Sequence, residues 1–412
     1  MQRAYLSRSG SRAARSPEEI VAGKVTQFAQ DRLTITRAMA KRFKVSVAPD
    51  VERFFQAVAT GHWEELNADF EALKQRRESG NGEDLGVLWG PILETLLIAE
   101  CGHNWPAQKL LDYGDATLGA LRPGMVYVGG TDPGRGIPTL LNETSDAERH
   151  IVITQNALAD GSYLQYVNFL YGDRMATLTP EESQTALQDY MADAQQRLAH
   201  DQQFPDEPKQ IRPGEDIRMV DNRVQVSGQV AVMDINERLL QALMAKNPEA
   251  TFALEESFPL KSTYANATPL GPIMELRGEE AGNALSAERA AQSLDYWRAT
   301  TQQLLADPEA TGSKDTLMAY SKMATAQANL LADHKFTVEA EQAYRIASTI
   351  WPGMPEATTG LADVLIRAGR TDEARRLLDE FAQKYPDQRR AIETAGSWRF
   401  LIDAKTEPTP KP

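Results

Sequence analysis

A glycine-containing stretch between two apolar runs constrains the fold of this chain more than any other feature. Residues 125–128 form a short apolar run that ends in two glycines, and a polar turn with a proline and another glycine follows at 131–135. A pattern typical of a helix start comes next at 137–141, and a second apolar run lies at 149–156. The order strand, glycine turn, helix, strand predicts one βαβ unit with polar residues at its strand ends.

Length and charge limit the classes of protein that fit this sequence. Its 412 residues are enough for about two or three domains. A content of 42% hydrophobic and 25% charged residues is typical of a globular protein. The formal net charge is -14 and no dense block of Lys or Arg occurs. We therefore expect no nucleic-acid binding and no attraction to anionic membranes.

The cysteine, histidine and hydropathy patterns exclude further classes. Cys101 is the only cysteine, so neither an internal disulfide nor a cysteine-based metal site can form, and no histidine pair has the spacing of metal ligands. The longest apolar stretch, Leu85 to Gly102, contains Glu94 and Glu100 and is a poor candidate for a membrane span. We predict no metal site, no cofactor and no direct membrane span.

The N-terminal segment, residues 1–16, contains four arginines but no apolar segment of the kind that a signal peptide requires. We expect a disordered tail there and, as the sequence is written, a cytoplasmic protein. The alternative is a start site placed too far downstream, with an anchor lost before it. In that case the protein would be associated with the cell envelope.

The region 17–121 has the periodicity of helices throughout, with apolar residues every three or four positions. Helices are predicted at 17–46, 51–58, 63–73, 85–100 and 106–121. His62 and His103 lie at predicted helix ends. We expect these two side chains to cap a helix or face solvent rather than to catalyse a reaction.

The region 122–278 combines strand and helix patterns. Helices are predicted at 158–171, 180–200 and 232–246, and strands beyond the βαβ unit at 216–220, 223–227, 251–254 and 273–277. A loop rich in Pro and Thr is expected from Ser257 to Pro272. The prediction for this region is a small α/β domain with about three to five strands.

A pattern of small and large apolar residues repeats in the C-terminal region. The clearer copy has small residues on two helices, a glycine between them and a proline after the second. Its residues are Leu361, Ala362, Leu365, Gly369, Ala374, Leu378, Phe381 and Pro386, and a degenerate upstream copy comprises Ala340, Tyr344, Ala347 and Pro352. The spacings resemble those of the tetratricopeptide repeat, whose helix pairs stack into a superhelix with a concave binding face. An open alternative is that the two repeats only pack against the α/β domain.

The central region carries a second resemblance, which rests on four longer motifs. They are Gly-Gly-Thr-Asp-Pro-Gly-Arg at 129–135, Ile-Thr-Gln-Asn-Ala-Leu-Ala-Asp at 153–160, Glu-Glu-Ser-Phe-Pro-Leu at 255–260 and Thr-Pro-Leu-Gly-Pro-Ile-Met at 268–274. Residues 120–278 resemble the soluble region of bacterial multi-spanning membrane glycosyltransferases that use lipid-linked sugars. The spanning part, where catalysis is expected in that family, has no counterpart here. The resemblance therefore implies a soluble accessory domain without the transferase activity.

A ligand site is predicted where three strand ends converge, because ligands of open α/β sheets collect at the carboxyl ends of strands. The candidate ligand-binding residues are Gly130, Thr131, Asp132, Gly134, Arg135, Asn156 and Glu256. Thr131, Arg135 and backbone N–H groups suit a phosphate, and Asp132 suits sugar hydroxyls. The alternative is ordinary turn chemistry with Asp132 as a helix cap. The pattern matches neither a Walker A loop nor G-x-G-x-x-G, and no catalytic residue is assigned because no nucleophile motif occurs.

These observations predict a mixed α+β fold class with five segments. They are a disordered tail (1–16), a helical N-terminal region (17–121), a small α/β domain (122–278), a tetratricopeptide-like α-solenoid (281–403) and a second disordered tail (404–412). The expected function is that of a non-enzymatic interaction or scaffold protein, with a protein partner on the C-terminal repeats and a small polar ligand on the α/β domain. The alternative is an enzyme or sensor for a sugar or phosphorylated ligand, accessory to glycosyl transfer.

Overall fold

The protein is mostly helical and contains one small mixed sheet. The computed structural model describes residues 15–130, 132–212, 215–220, 223–256, 265–276 and 285–388. The predicted terminal tails at 1–16 and 404–412 lie almost entirely outside these residues, and so does the capping helix that the sequence predicts at 391–402.

Five helices make up the N-terminal region, as the sequence periodicity predicted. They are α1 (Pro17–Phe43), α2 (Pro49–Thr60), α3 (Trp63–Glu78), α4 (Glu83–Asn104) and α5 (Ala107–Gly119). Ser16 and Glu19 form a capping box that starts α1. The helix ends before residue 46 because Lys44 adopts a left-handed conformation, with φ of 57°.

Helix α4 is the one described helix that is long and apolar enough to cross a membrane. In the fold, 67% of its most apolar window is buried. Its two internal acidic residues have different surroundings. Glu94 accepts a hydrogen bond from the buried Arg32 of α1 at 2.9 Å, whereas Glu100 borders a cavity. These contacts are those of a core helix.

The main sheet has five short strands in the order β2-β1-β5-β7-β6. Their bounds are β1 (Val126–Gly129), β2 (Ile151–Thr154), β5 (Phe252–Leu254), β6 (Ala267–Leu270) and β7 (Ile273–Leu276). Strand β1 lies between β2 and β5 and runs parallel to both, while β7 is antiparallel to β5 and β6. Helix α6 (Asp132–Glu143) follows β1 in the chain, so its N-terminus lies at the same sheet edge as the ends of β2 and β5.

The predicted loop from Ser257 to Pro272 is wrong at residues 267–270, which form strand β6. Its Pro and Thr content is typical of a loop, but β6 is the last strand of the sheet. Proline is tolerated on an edge strand because the missing N–H does not interrupt a ladder on both sides.

A second, two-stranded sheet stands apart from the main one. It consists of β3 (Asp216–Val220) and β4 (Arg223–Ser227), whose turn residues 221–222 are outside the described part of the chain. The hairpin packs on α8 (Pro180–Gln203) and is followed by α9 (Gln229–Lys246). Helix α7 (Gly161–Tyr171) precedes this group.

The C-terminal region is a row of helices. They are α10 (Ala287–Ala306), α11 (Pro308–Thr311), α12 (Lys314–Asp333), α13 (Thr337–Ile350), α14 (Pro355–Arg367) and α15 (Thr371–Lys384). Lys335 and Gly369 have φ of 65° and 77° and follow the first helix of each of two pairs. They are 34 residues apart in the chain, which is one tetratricopeptide period. The apolar residues predicted for both copies are buried.

Candidate functional site

The strand ends of the main sheet surround two buried carboxylates. Glu255 and Glu256 directly follow β5 and are only 1% and 2% exposed. The Tyr113 hydroxyl of α5 donates to Glu255 Oε1 at 2.5 Å, and the Gly130 N–H donates to Glu255 Oε2 at 3.0 Å. The carboxylate of Glu255 therefore receives one hydrogen bond on each oxygen, one of them from the glycine turn.

Two of the predicted glycines make room for these carboxylates. A Cβ atom on Gly134 would lie 1.7 Å from Glu255 Oε2, and one on Gly130 would lie 2.2 Å from Glu256 Cγ. Neither distance is compatible with a side chain. The absence of a Cβ at Gly134 thus allows the start of α6 to contact the buried carboxyl group of Glu255.

Two tyrosines enclose Glu255 from the sheet and from α5. Tyr127 of β1 donates its hydroxyl to the Gly134 carbonyl at 2.6 Å. Burial raises the pKa of both Tyr113 and Tyr127 well above the usual range, and Glu255 beside them raises it further. Both hydroxyls therefore remain protonated and act as hydrogen-bond donors.

Burial also raises the pKa of Glu255, and the adjacent Glu256 carboxylate raises it further. A carboxyl group with such a pKa keeps its proton at a higher pH than an exposed glutamate. Raised carboxyl pKa values occur in catalytic acids, but a catalytic acid must also reach its substrate. With 1% exposure, Glu255 has no such access and serves to join β5, β1, α5 and α6.

The remaining predicted residues lie on two sides of this cluster. The Asn156 amide donates to the Gly130 carbonyl, and the neighbouring Gln155 donates to the Glu256 carbonyl at 2.6 Å. The structure therefore brings Gly130, Asn156 and Glu256 together. Gly134 touches Glu255, and Thr131 lies outside the described residues.

Asp132 points to a different place, since it is exposed and borders a cavity of about 190 Å³. The cavity lies between α4, the start of α6 and α12, and its charged lining residues are Glu100, Asp132, Asp315 and Lys322. Arg135, one turn into α6, is half-buried. Its Nε atom has no hydrogen-bond partner, and no salt bridge joins it within the described parts of the chain.

Cys101 borders the same cavity, but it is a poor nucleophile. Burial raises the pKa of its thiol, and the carboxylates of Asp132 and Glu100 raise it further. The thiol is therefore protonated at neutral pH. Among the residues that the structure describes, no group of three or more His, Cys, Asp or Glu side chains is arranged to hold a metal ion.

Sequence reasoning missed the residues that organise this cluster. Tyr113 comes from a helix distant in sequence, so no local motif connects it with the strand ends. Glu255 was visible as the first half of the Glu255-Glu256 pair, but the sequence favoured Glu256 as the ligand-facing residue. The close approach of Gly134 to Glu255 depends on the pairing of β1 with β5, which the sequence does not specify.

The repeat region carries a network of four charged side chains. Arg345 of α13 donates to Glu341 at 2.8 Å and to Glu373 of α15 at 2.9 Å. Arg370 donates to the same two carboxylates, at 2.7 Å each. The network joins two successive helix pairs at their surface.

One face of α14 is accessible in this region. Glu356 and Arg367 are exposed, and Asp363 between them is half-buried. Arg367 forms a salt bridge with Asp363 at 2.8 Å. These residues recur at helical spacing, so they form a single charged stripe along α14.

Comparison with known proteins bears on the repeat region. Residues 331–394 match the family model described as tetratricopeptide repeat. No curated protein and no solved structure matches the chain. The resemblance of the central region to membrane glycosyltransferases receives no support from these comparisons. The match agrees with the buried repeat residues and the paired helices α13 to α15, and the C-terminal part of this chain therefore contains a tetratricopeptide repeat region.

Proposed function

We propose that this protein is a non-enzymatic interaction protein that holds a protein partner on its C-terminal helical repeats. The observation that carries the proposal is the tetratricopeptide repeat match at residues 331–394. Repeats of this kind stack into extended surfaces that bind other proteins.

Part of the accessible repeat surface lies on α14. Helix α12, the first helix of the first pair, is largely buried and contacts α13, β6 and β7. Its Gln327 side chain donates to the Ile273 carbonyl of β7 at 2.8 Å. Since α12 is largely buried against α13 and also touches the main sheet, the charged stripe of Glu356, Asp363 and Arg367 is the face that we assign to the partner.

The test is affinity purification of the full chain from its own cells, with quantitative mass spectrometry. The variant Glu356→Arg with Arg367→Glu reverses two charges on the stripe and leaves the net charge unchanged. The matched control is Arg376→Glu with Glu380→Arg, because both residues are exposed on α15. We expect the stripe variant to lose a partner that the wild type and the control retain. Asp132→Ala should retain that partner as well.

Two outcomes contradict the proposal. One is the absence of any reproducible partner of the wild-type protein. The other is a partner that the stripe variant retains and the Asp132→Ala variant loses, which would transfer the interaction to the start of α6.

A second candidate is a small polar ligand, such as a sugar or a phosphorylated compound, at the start of α6. The exposure of Asp132 on a cavity favours it. A thermal-shift screen with sugars, nucleotide sugars and phosphates tests it, since a ligand at a hundredfold excess over its Kd stabilises a fold by about 2.7 kcal/mol. We expect a shift that Asp132→Ala abolishes and the exposed control Asp146→Ala retains. No shift with any ligand would remove this candidate.

A further inference from the structure

A second cavity lies in the N-terminal helical region, away from both the repeats and the strand ends. Its volume is about 530 Å³, which is within the range of small-molecule pockets. It is lined by α1, the turn between α2 and α3, the end of α4 and the start of α5. Glu309 of α11 borders it as well.

Most of the side chains that line this cavity are apolar, and some of them are aromatic. The Trp63 and His103 rings stack with centroids 3.9 Å apart and an interplanar angle of 5°. Trp105, which is buried, also lines the cavity, and Val58 and Leu66 supply aliphatic surface. His103 was expected to cap a helix or face solvent, and it is exposed, but its ring extends the aromatic wall. Such walls bind an apolar body, and aromatic faces also attract cations.

The hydroxyl groups in the lining are already used. Thr26 donates to the Ala59 carbonyl at 2.8 Å, and Thr60 donates to the Gln56 carbonyl at 2.9 Å. A sugar or another polyol would need free donors and acceptors to replace its bonds to water. The interior therefore suits an alkyl or aryl group better than a polar one.

Charge is confined to the rim and has one sign. The exposed carboxylates Glu18 and Glu309 border the cavity, and no Lys or Arg side chain lines it within the described ranges. A positively charged group at the rim would be attracted by both carboxylates, whereas a negatively charged group would be repelled by them.

We propose that this cavity binds an amphiphilic cation, with an alkyl or aryl body against the apolar and aromatic lining and an ammonium group at the rim. The proposal is independent of the partner-binding function, because no residue of the α14 stripe lines the cavity. Its ligand class follows from the apolar interior and from the sign of the rim charges.

Calorimetric titration of the full chain with octylamine, octanol and octanoate tests this proposal. The three probes share an alkyl chain and differ in the charge of the head group at neutral pH. We expect saturable binding of octylamine, weaker binding of octanol and still weaker binding of octanoate. We expect octylamine to bind about tenfold more tightly than octanoate, because its head group interacts with two exposed carboxylates, Glu18 and Glu309.

Two variants place the binding in this cavity. Ala22 is an exposed α1 residue of the lining, so Ala22→Phe should fill the cavity without disturbing the core and abolish octylamine binding. Gln27→Phe is the control, because Gln27 is exposed on α1 and does not line the cavity. Glu18→Gln with Glu309→Gln should remove most of the preference for the cation.

The proposal is overturned by any of three results. They are the absence of saturable octylamine binding, equal binding of octanoate and octylamine, and unchanged octylamine binding by Ala22→Phe. Circular dichroism of each variant shows whether a loss of binding reflects a loss of fold.

Discussion

At the scale of single residues, the position of Glu255 explains the glycines around it. The turn after β1 was expected to hold a ligand with its free backbone N–H groups. In the structure, the Gly130 N–H donates to Glu255, and the space above Gly134 Cα is filled by the same carboxylate. The first N–H groups of a helix have no partner within the helix, and here a carboxyl group of the chain itself lies against the helix start. The small polar ligand at Asp132 and Arg135 remains a proposal beside this internal contact.

The raised pKa of Glu255 predicts how stability changes with pH. A carboxyl group whose pKa is higher in the folded than in the unfolded chain binds its proton more tightly when folded. The stabilisation that Glu255 provides in this way is fully present below the pKa of the unfolded chain, near 4.3. It is lost as the pH rises through the pKa of Glu255 in the folded chain. Urea denaturation across this range should show a decreasing free energy of unfolding.

Glu255→Gln removes the titrating group, so the pH dependence should weaken. We expect only a small loss of stability at low pH, because the amide can accept from the Gly130 N–H and donate to the Tyr113 oxygen, as the protonated carboxyl group does. Glu65→Gln is the control, since Glu65 is an exposed glutamate of α3. An unchanged slope in Glu255→Gln would show that other groups determine the pH dependence.

At the scale of elements, buried polar contacts hold the helices in place. Arg32 of α1 is 1% exposed and pairs with Glu94 of α4, which also accepts a hydrogen bond from Tyr166 of α7 at 2.5 Å. Arg32 lies 3.5 Å from Glu143 at the end of α6. Arg32 and its partner Glu94 thus connect four helices. A shift of α1 along α4 would separate the two charged side chains.

Arg32→Met should destabilise the fold strongly, because it leaves Glu94 buried without its cation. Breaking a buried pair from one side typically costs about 3–5 kcal/mol. Arg37→Met is the control, since Arg37 pairs with Glu52 at the surface, where a pair contributes less than about 1 kcal/mol. Urea denaturation measures both. Similar losses in the two variants would contradict the assigned role of Arg32.

The two-stranded hairpin depends on one acidic residue, Glu215. Its carboxylate has no exposed surface and accepts hydrogen bonds from Tyr190, Arg197 and Arg212. Burial alone would raise the pKa of Glu215, but the hydrogen bonds from Arg212 and Arg197 outweigh it and lower the pKa to about 2. The stabilisation is therefore present above the unfolded pKa and is lost as the pH falls toward 2.

Glu215→Gln should loosen the hairpin locally at neutral pH. A charge-assisted hydrogen bond contributes about 1.5–3 kcal/mol, and the amide keeps only part of this set. Hydrogen exchange of residues 216–227 is the measurement, and we expect faster exchange there with unchanged exchange in the main sheet. Glu207→Gln is the control, because Glu207 is a more exposed glutamate of the same region. Equal exchange in the wild type and in Glu215→Gln would contradict the role of Glu215 in stabilising the hairpin.

At the scale of the whole molecule, the hydrophobic core crosses the predicted segment boundaries. One cluster of buried residues includes side chains of α1 to α4, of the main sheet and of the repeat helices α12 to α15. The boundaries near 121 and 280 remain predictions. The shared core predicts that the N-terminal, central and C-terminal regions unfold together.

Gln327 provides a test of this cooperativity. It is fully buried on α12, donates to the Ile273 carbonyl of β7 and accepts from Ser293 of α10. Gln327→Leu removes both of these buried hydrogen bonds, so we expect a loss of about 1–3 kcal/mol. Urea unfolding should remain a single transition by fluorescence and circular dichroism. Two separate transitions, with only one shifted by Gln327→Leu, would show that the regions fold independently.

The sequence by itself determined those parts of the local structure that depend on residues close together in the chain. Helical periodicity predicted α1 to α5, and the spacings around Gly369 predicted the repeat region. These features depend on contacts between residues a few positions apart, which a sequence displays directly.

Only the tertiary structure decided which distant elements meet. It placed Tyr113 on Glu255, made residues 267–270 an edge strand, and packed α12 against α13 and the edge of the main sheet. Strand pairing and helix packing are set by the burial of whole faces against distant parts of the chain, and no local pattern records the partner. For the same reason, the sequence predicted a repeat-based interaction protein, while the assignment of the partner to the stripe on α14 depends on the tertiary packing of α12.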